Sequence, residues 1–379
     1  MRETTRHISP LQYAILETTA FMGIGIFGYP RELVQQAGHD ALWGFLLDWA
    51  AAYFGVWLLL KVAYIDPRET LLGMARRIWP GPVYWVFGIL DAALHVTLPV
   101  IALAQFTFVI GTFFLPDTPV LTIEVVMIGM AVYIAWWELP PLARTVQVID
   151  IPVMAVSVAL LALMTPHLHN FYAIRPSVDL HLVPIGRGAL QTFYIFVGFE
   201  AIPIFWPYVR VEDQPRARRY IYWALTLSGS FYTAIYIATL ASESPWYLIH
   251  LEWPSVSALR LINITGLLID KLGLLIAVFW GMLSLFFISL RLWAVTHVLV
   301  PMFRRRGLGW YRGIVVGLGA LVLGLAHRLP NVESVDRWTA RIVPVILLFI
   351  FLYPTAFVIT AAFRKRRQST HPGAPADGR

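Results

Sequence analysis

The chain contains no cysteine, and only 13% of its 379 residues are Asp, Glu, Lys or Arg. The first absence excludes a secreted scaffold held by disulfides. The second excludes a soluble globular domain, which carries about 25% charged residues. Catalytic patterns are missing as well: there is no His-Glu-x-x-His, no Gly-x-Ser-x-Gly and no paired catalytic Asp motif. Without a nucleophile–base pair or a metal constellation, the sequence does not read as an enzyme. No cofactor is expected.

What is present is apolar. At 58% of the chain, the hydrophobic residues number about 220, and ten membrane spans at about 20 residues each consume about 200. Ten runs between charge clusters fit that arithmetic. The first five extend over Leu11–Gln35, Ala41–Tyr64, Val83–Leu115, Val120–Trp137 and Val146–Met164. The second five extend over Val183–Trp206, Tyr220–Ala241, Leu267–Val300, Gly313–Ala326 and Val343–Phe363. The first run exceeds the apolar core of a cleavable signal peptide, so none is expected. The segment from Asp66 to Trp79 reads as a short amphipathic helix on the membrane surface.

Net charge is +7, from 29 Lys and Arg against 22 Asp and Glu. Placing the N-terminus inside puts 20 of those 29 cations on the cytoplasmic side, at every second loop and at both termini. The basic patches at Arg216–Tyr220, Arg304–Arg306 and Arg364–Arg367 therefore read as topology determinants and anionic-lipid contacts. No aromatic interleaving argues for nucleic acid. The expected organisation is one all-α, ten-helix transmembrane domain over 1–367, then a disordered cytoplasmic tail over 368–379.

Two spans interrupt their own helical pattern. Gly23-Ile24-Gly25-Ile26-Phe27-Gly28-Tyr29-Pro30 sets three glycines and a proline at membrane depth, and Val197-Gly198-Phe199-Glu200-Ala201-Ile202-Pro203 joins a glycine, an acid and a proline. Each lies in the opening span of one half of the chain, about 8–165 and 183–363. An odd number of spans per half requires the halves to be inverted, the pattern of a transporter-like repeat with its site at the midplane. Irregular backbone in a bilayer survives only where protein buries it or a cavity solvates it. Peptide groups freed near Gly23–Gly25, at the positive end of a half-helix, would suit a carboxylate. The competing reading is that the glycines allow close helix packing and the prolines only kink.

Ile8-Ser9-Pro10-Leu11-Gln12, the Gly23–Pro30 run, Ala37-Gly38-His39-Asp40-Ala41-Leu42-Trp43, and Gly198-Phe199-Glu200 followed by Pro207 resemble the B-subunit family of spore germinant receptors. That family is a branch of the amino acid–polyamine–organocation superfamily. The resemblance implies a LeuT-type 5+5 inverted repeat with broken helices 1 and 6. It implies a ligand sensor in the spore inner membrane, beside an A subunit and a lipoprotein C subunit. The expected ligand, a small molecule such as an amino acid, would sit among Gly23, Ile24, Gly25, Ile26, Phe196, Val197, Gly198, Phe199 and Glu200. The alternative with the same fold and site is a proton-coupled amino-acid transporter.

Buried ionisable groups in a membrane are costly and mark candidate functions. Glu200, in the second interruption, would receive a ligand's amino group, carry a coupling proton, or tie the unwound backbone together. Asp91 and His95 share one helix face at i, i+4, as cavity lining, a proton relay or a self-satisfied pair; a metal site is not expected there. Glu17, Asp48, Glu124 and Asp150 read as helix contacts or interfacial groups. Arg31 and Glu32 read as entrance or headgroup residues, and Arg291 and His297 as residues nearing the cytoplasmic end of the eighth span. Its Ser284 and Ser289 are the only nearby hydroxyls for sodium, and the fifth span has no Lys to replace that ion.

Overall fold

The computed structural model describes residues 7–23, 25–175, 177, 179–260, 273–302 and 307–370. Among these residues the chain is helical, with one isolated backbone bridge, Ile8 to Val209. The first half comprises α1 (Pro10–Phe21), α2 (Tyr29–Ala37), α3 (Ala41–Ala63), α4 (Leu71–Ile78), α5 (Gly81–Phe113), α6 (Val120–Ala135) and α7 (Leu139–Leu163). The second half comprises α8 (Leu182–Thr192), α9 (Ile202–Phe205), α10 (Gln214–Ser242), α11 (Pro245–Leu248) and α12 (Pro254–Leu259). It continues with α13 (Gly273–Met302), α14 (Leu308–Ala326), α15 (Val332–Leu347) and α16 (Tyr353–Thr370).

Seven helical stretches among the described residues are long and apolar enough to cross a membrane, or eight if the bent pair containing α8 and α9 is one crossing. The long helices expose large apolar side chains such as Val86, Ile89, Trp223 and Leu227, as lipid-facing surface requires. This is a multi-pass membrane protein.

Local signals explain the boundaries. Ser9 caps α1 through a reciprocal pair, its hydroxyl accepting from the Gln12 N–H while the Gln12 side chain accepts from the Ser9 N–H, and Pro10 suits the first turn. α7 begins seven residues before the apolar run at Val146, because Pro140 and Pro141 fall in its first turn where no N–H is needed. α10 likewise starts at Gln214 with Pro215, extending the apolar run by a polar turn bearing Arg216, Arg218 and Arg219. Of the segment Asp66–Trp79 expected as an amphipathic helix, only Leu71–Ile78 is helical, as α4: Leu71, Leu72, Met74 and Ala75 are buried and Thr70 caps it. α16 runs to Thr370, three residues into the segment expected to be irregular; 371–379 lie outside the described residues.

At the centre α13 packs along α5, while α1 packs on α10 and α7, and α2 packs on α8. One end of the bundle carries Ile8, Pro67, Val209 and α4, joined by hydrogen bonds from the Gln214 amide to the Pro67 and Val209 carbonyls. The other end carries α11 and α12, with α12 against α10 and α2.

Both interruptions appear as gaps in the helix sequence. After Phe21 the backbone leaves the helix, and Gly25 takes φ +79° before a turn closes from the Gly28 and Tyr29 N–H groups onto the Gly25 carbonyl. In the sixth run, α8 tightens into a 3-10 turn over Phe193–Phe196. Val197 is extended and Gly198 has φ +150°, and the two flanking pieces meet at 53°. Only glycine adopts these positive φ values without strain.

Candidate ligand-binding site

The first interruption borders a cavity that opens toward the α11–α12 end. The empty space around it, its open mouth included, is about 490 Å³. Gly23 and Gly25 form one wall, and Gln105, Tyr194, Glu32 and Ser284 supply polar atoms around it. The Gly25 N–H donates to Gln105 Oε1 at 3.3 Å, so α5 takes up a peptide group freed by the break. The Tyr194 hydroxyl donates to Glu32 Oε1 at 2.8 Å. At the mouth, Arg31 donates to Glu252 and to Asp336, each at 2.8 Å, tying α2 to the α11–α12 connection and to α15.

The glycines here have packed faces. A β-carbon on Gly25 would fall 2.0 Å from the Tyr194 ring, and one on Gly23 would fall 2.0 Å from the Phe287 ring. The backbone of the break thus approaches the cavity walls more closely than any other residue type permits.

The second interruption does not line this cavity. Phe196, Val197, Gly198, Phe199 and Glu200 are all buried. Phe199 meets Phe21 edge-on at 5.8 Å and Phe196 meets Tyr232 at 6.0 Å, so aromatic rings fill the space between the breaks. Glu200 Oε2 accepts from the Gly198 N–H at 2.8 Å, and Oε1 lies 2.5 Å from Arg291 Nη1. With both oxygens engaged, an incoming amino group would have to displace Arg291.

Arg291 Nη1 also lies 3.1 Å from His95 Nδ1. A guanidinium only donates, so Nδ1 accepts and the imidazole proton sits on Nε2, facing Asp91 Oδ1 at 3.9 Å. The guanidinium stands 4.9 Å over the Phe287 ring, the ring that packs on Gly23. Glu17 on α1 is fully buried beside Tyr13, Glu200 and Arg291; the Tyr13 hydroxyl faces it, but the pair falls short of hydrogen-bond geometry and both Glu17 oxygens stay unmet.

Of the residues singled out in the sequence, Gly23 and Gly25 line the cavity, and Ile26 lines a separate apolar crevice with Met22, Leu160 and Ser255. Ile24 lies outside the described residues, as do Arg304–Arg306. Asp91 and His95 adjoin Arg291 rather than the cavity. Asp48, Glu124 and Asp150 make contacts between helices, with Thr192, His327 and Thr19. Arg31 and Glu32 are cavity residues, and His297 stacks on Trp293. Arg291 carries more than its sequence position suggested. The signal was an arginine inside an apolar helix, which demands a buried counter-ion.

The sequence profile of the spore germination proteins, the spore permease family, matches residues 7–323. The chain belongs to this family. Among its spore germination relatives, YndE of Bacillus subtilis (strain 168) is 21% identical over 97% of this chain and 99% of its own length. GerQB of Bacillus cereus is 21% identical over 95% and 98%. The fold is that of membrane transporters. Mhp1, a nucleobase-cation-symport-1 family transporter solved closed with bromovinylhydantoin bound, superposes with TM-score 0.66 at 13% identity, covering 97% of this chain and 81% of that one. A manganese transporter of Eremococcus coleocola superposes with TM-score 0.55 at 12% identity, covering 93% and 78%. This spore germination protein is therefore a transporter-fold, germinant-receptor-like membrane protein, and none of these relatives is named as an enzyme.

Proposed function

We propose that this spore germination protein is the ligand-sensing membrane subunit of a germinant receptor in the spore inner membrane, acting beside an A subunit and a lipoprotein C subunit. Its ten crossings are α1–α2, α3, α5, α6, α7, α8–α9, α10, α13, α14 and α15–α16, arranged as two inverted halves with both termini in the cytoplasm. The basic loops on the α4 side and the transporter-like fold support that layout.

The observation that carries the ligand reading is the cavity at the first break, where glycine backbone stands opposite the side chains of Gln105, Glu32 and Tyr194. A small amino acid fits this chemistry. Its carboxylate meets the backbone at Gly23 and Gly25, near the positive end of α2, and its ammonium meets Glu32. The segment Phe196–Glu200 lies outside the cavity lining, packed on the last turn of α1, and moves when ligand is sensed. Such a response needs a ligand that binds two states unequally.

Thermal unfolding of the purified protein across an amino-acid panel tests this. A ligand at 100 times its Kd stabilises by about 2.7 kcal/mol, and the shift should vanish in Gly25→Leu and shrink in Gln105→Ala. No shift with any amino acid would leave the cavity without its assigned occupant.

The fold likeness to transporters and the buried carboxylate of Glu17 favour a second reading, proton-coupled amino-acid transport. Accumulation of substrate in liposomes driven by a pH gradient would support it against a sensor that moves nothing.

A further inference from the structure

Below the cavity, four separate parts of the chain bring ionisable groups into one dry cluster. α1 contributes Glu17, the second break contributes Glu200, α5 contributes Asp91 and His95, and α13 contributes Arg291; each is at least 95% buried. With His95 neutral, as its accepting Nδ1 requires, the cluster holds three carboxylates against one guanidinium. Fully ionised, it would carry two uncompensated negative charges where water is excluded, which burial does not tolerate.

Glu17 is where the imbalance shows. Most other buried carboxylates have a hydrogen-bonding partner: Glu32 has Tyr194, Asp48 has Thr192, Asp150 has Thr19, Glu124 has His327 and Glu200 has the Gly198 N–H, while Asp91 has only His95 Nε2 at 3.9 Å. Glu17 has none on either oxygen. Arg291 shows the complementary deficit, because its Nε and Nη2 have no acceptor. Glu200 Oε1, His95 Nε2 and the Tyr13 hydroxyl are also without a completed hydrogen bond, so unmet acceptors and unmet donors lie together in one cluster.

We infer that Glu17 is a proton-binding site, and that Arg291 reads its charge and relays it to the second break. When Glu17 is protonated it is neutral, and Arg291 stays on Glu200, which in turn holds the Gly198 N–H. When Glu17 loses its proton, its carboxylate competes for the Nε and Nη2 donors, and the hold on Glu200 loosens. The groups facing Glu17 are Tyr13 on α1 itself, Glu200 on the second break and Arg291 on α13. Tyr232 of α10 and Asp150 of α7 reach α1 elsewhere, at the Phe21 carbonyl and at Thr19. Asp91, His95 and Tyr353 complete the far side of the cluster.

This inference rests on the proposed function in one respect, that the second break responds to ligand. The cavity described here coexists with the Arg291–Glu200 contact, so ligand binds the protonated form better. Its affinity falls as pH rises through the titration of Glu17, by up to about tenfold per pH unit for one linked proton.

Infrared difference spectroscopy of the intact protein in nanodiscs, titrated from about pH 5 to about pH 9, tests the site without any ligand. The expected result is a carboxylic-acid C=O band that bleaches as pH rises and is missing in Glu17→Gln. A wild-type spectrum with no such band, or a band unchanged in Glu17→Gln, overturns the inference. Isothermal titration with the amino acid that stabilises best should then give pH-dependent affinity in the wild type and a flat profile in Glu17→Gln. Affinity that follows sodium instead of pH also overturns it. If the band titrates but no amino acid binds, the proton site stands and the ligand reading fails.

Discussion

Gly198 faces the Ala20 carbonyl at a distance that leaves no room for a side chain: a β-carbon built there would lie 2.3 Å from that oxygen. The second break thus crosses the last turn of α1, and the two interruptions are joined backbone to backbone. Tyr232 fastens the same place, donating to the Phe21 carbonyl at 2.8 Å, and Tyr29 donates to the Tyr232 carbonyl at 2.5 Å. A displacement at either break is felt at the other through rigid backbone, without a mobile linker between them.

Gly198→Ala should accordingly cost about 3 kcal/mol or more. Positive φ and overpacking against an immovable carbonyl each contribute about 1–3 kcal/mol. The comparison is Gly129→Ala on α6, where a β-carbon meets nothing within 4 Å and helix propensity favours alanine by up to about 1 kcal/mol. Thermal unfolding of the two variants should move in opposite directions. Equal shifts would mean that the second break does not sit on α1 as described.

The buried ion pair gives a sharper test of the charge cluster. Removing one partner of a buried pair costs about 3–5 kcal/mol, because the other charge is stranded, so Arg291→Met should destabilise by that order. In Glu200→Gln the amide oxygen still accepts from the Gly198 N–H, but the charge facing Arg291 is gone, and response to amino-acid ligands should weaken. The double variant Glu200→Gln with Arg291→Met should cost less than the two single losses combined, by about 1 kcal/mol or more. Additive losses in unfolding experiments would show that Arg291 and Glu200 act independently.

The legible and illegible parts of this molecule differ for physical reasons. The first break is signalled locally because Gly23, Gly25 and Gly28 precede Pro30 within eight residues, a run that weakens a membrane helix. Most spans follow from apolar runs alone. Their starts do not, since α7 and α10 open on proline and charge that an apolar window discards. The partnership of Arg291 with Glu200 depends on how two helices are rotated about their axes, which no spacing within either one records. The cavity wall at Glu32 and Tyr194 is hidden for the same reason: the hydroxyl reaches across from the other half of the chain.

Outside the spans, Asp66 tests how α4 is held at its end of the bundle. The hydrogen bond from Arg77 keeps the Asp66 carboxyl below the usual carboxylate range, at 2.5 Å, and Arg364 donates to the Arg77 carbonyl, linking α4 to α16. A depressed folded-state value means that the contribution is fully present above the unfolded value of about 3.9. It is lost as pH falls through the lower folded value. Because both side chains are substantially exposed, Arg77→Ala should cost under about 1 kcal/mol at neutral pH. In unfolding experiments the gap between wild type and variant should start to close below about pH 4 and vanish once pH is under the lowered folded value, and a gap that persists there would assign the loss to packing of the Arg77 stem.

Arg31 spans the mouth of the cavity. It joins α2 to Glu252 and Asp336 while its own side chain is 14% exposed, so the two pairs bridge the mouth from three elements. Arg31→Gln removes the charge from both, and the mouth should open more often, raising ligand entry and exit rates together with little change in Kd. Trp253 and Trp280 line the same cavity, which makes stopped-flow tryptophan fluorescence a direct readout. Both rate constants should rise several-fold, and the wild-type rates should rise with salt as screening weakens pairs whose acidic partners are 56% and 32% exposed. An unchanged entry rate in Arg31→Gln would show that these pairs hold α2 in place without gating the cavity.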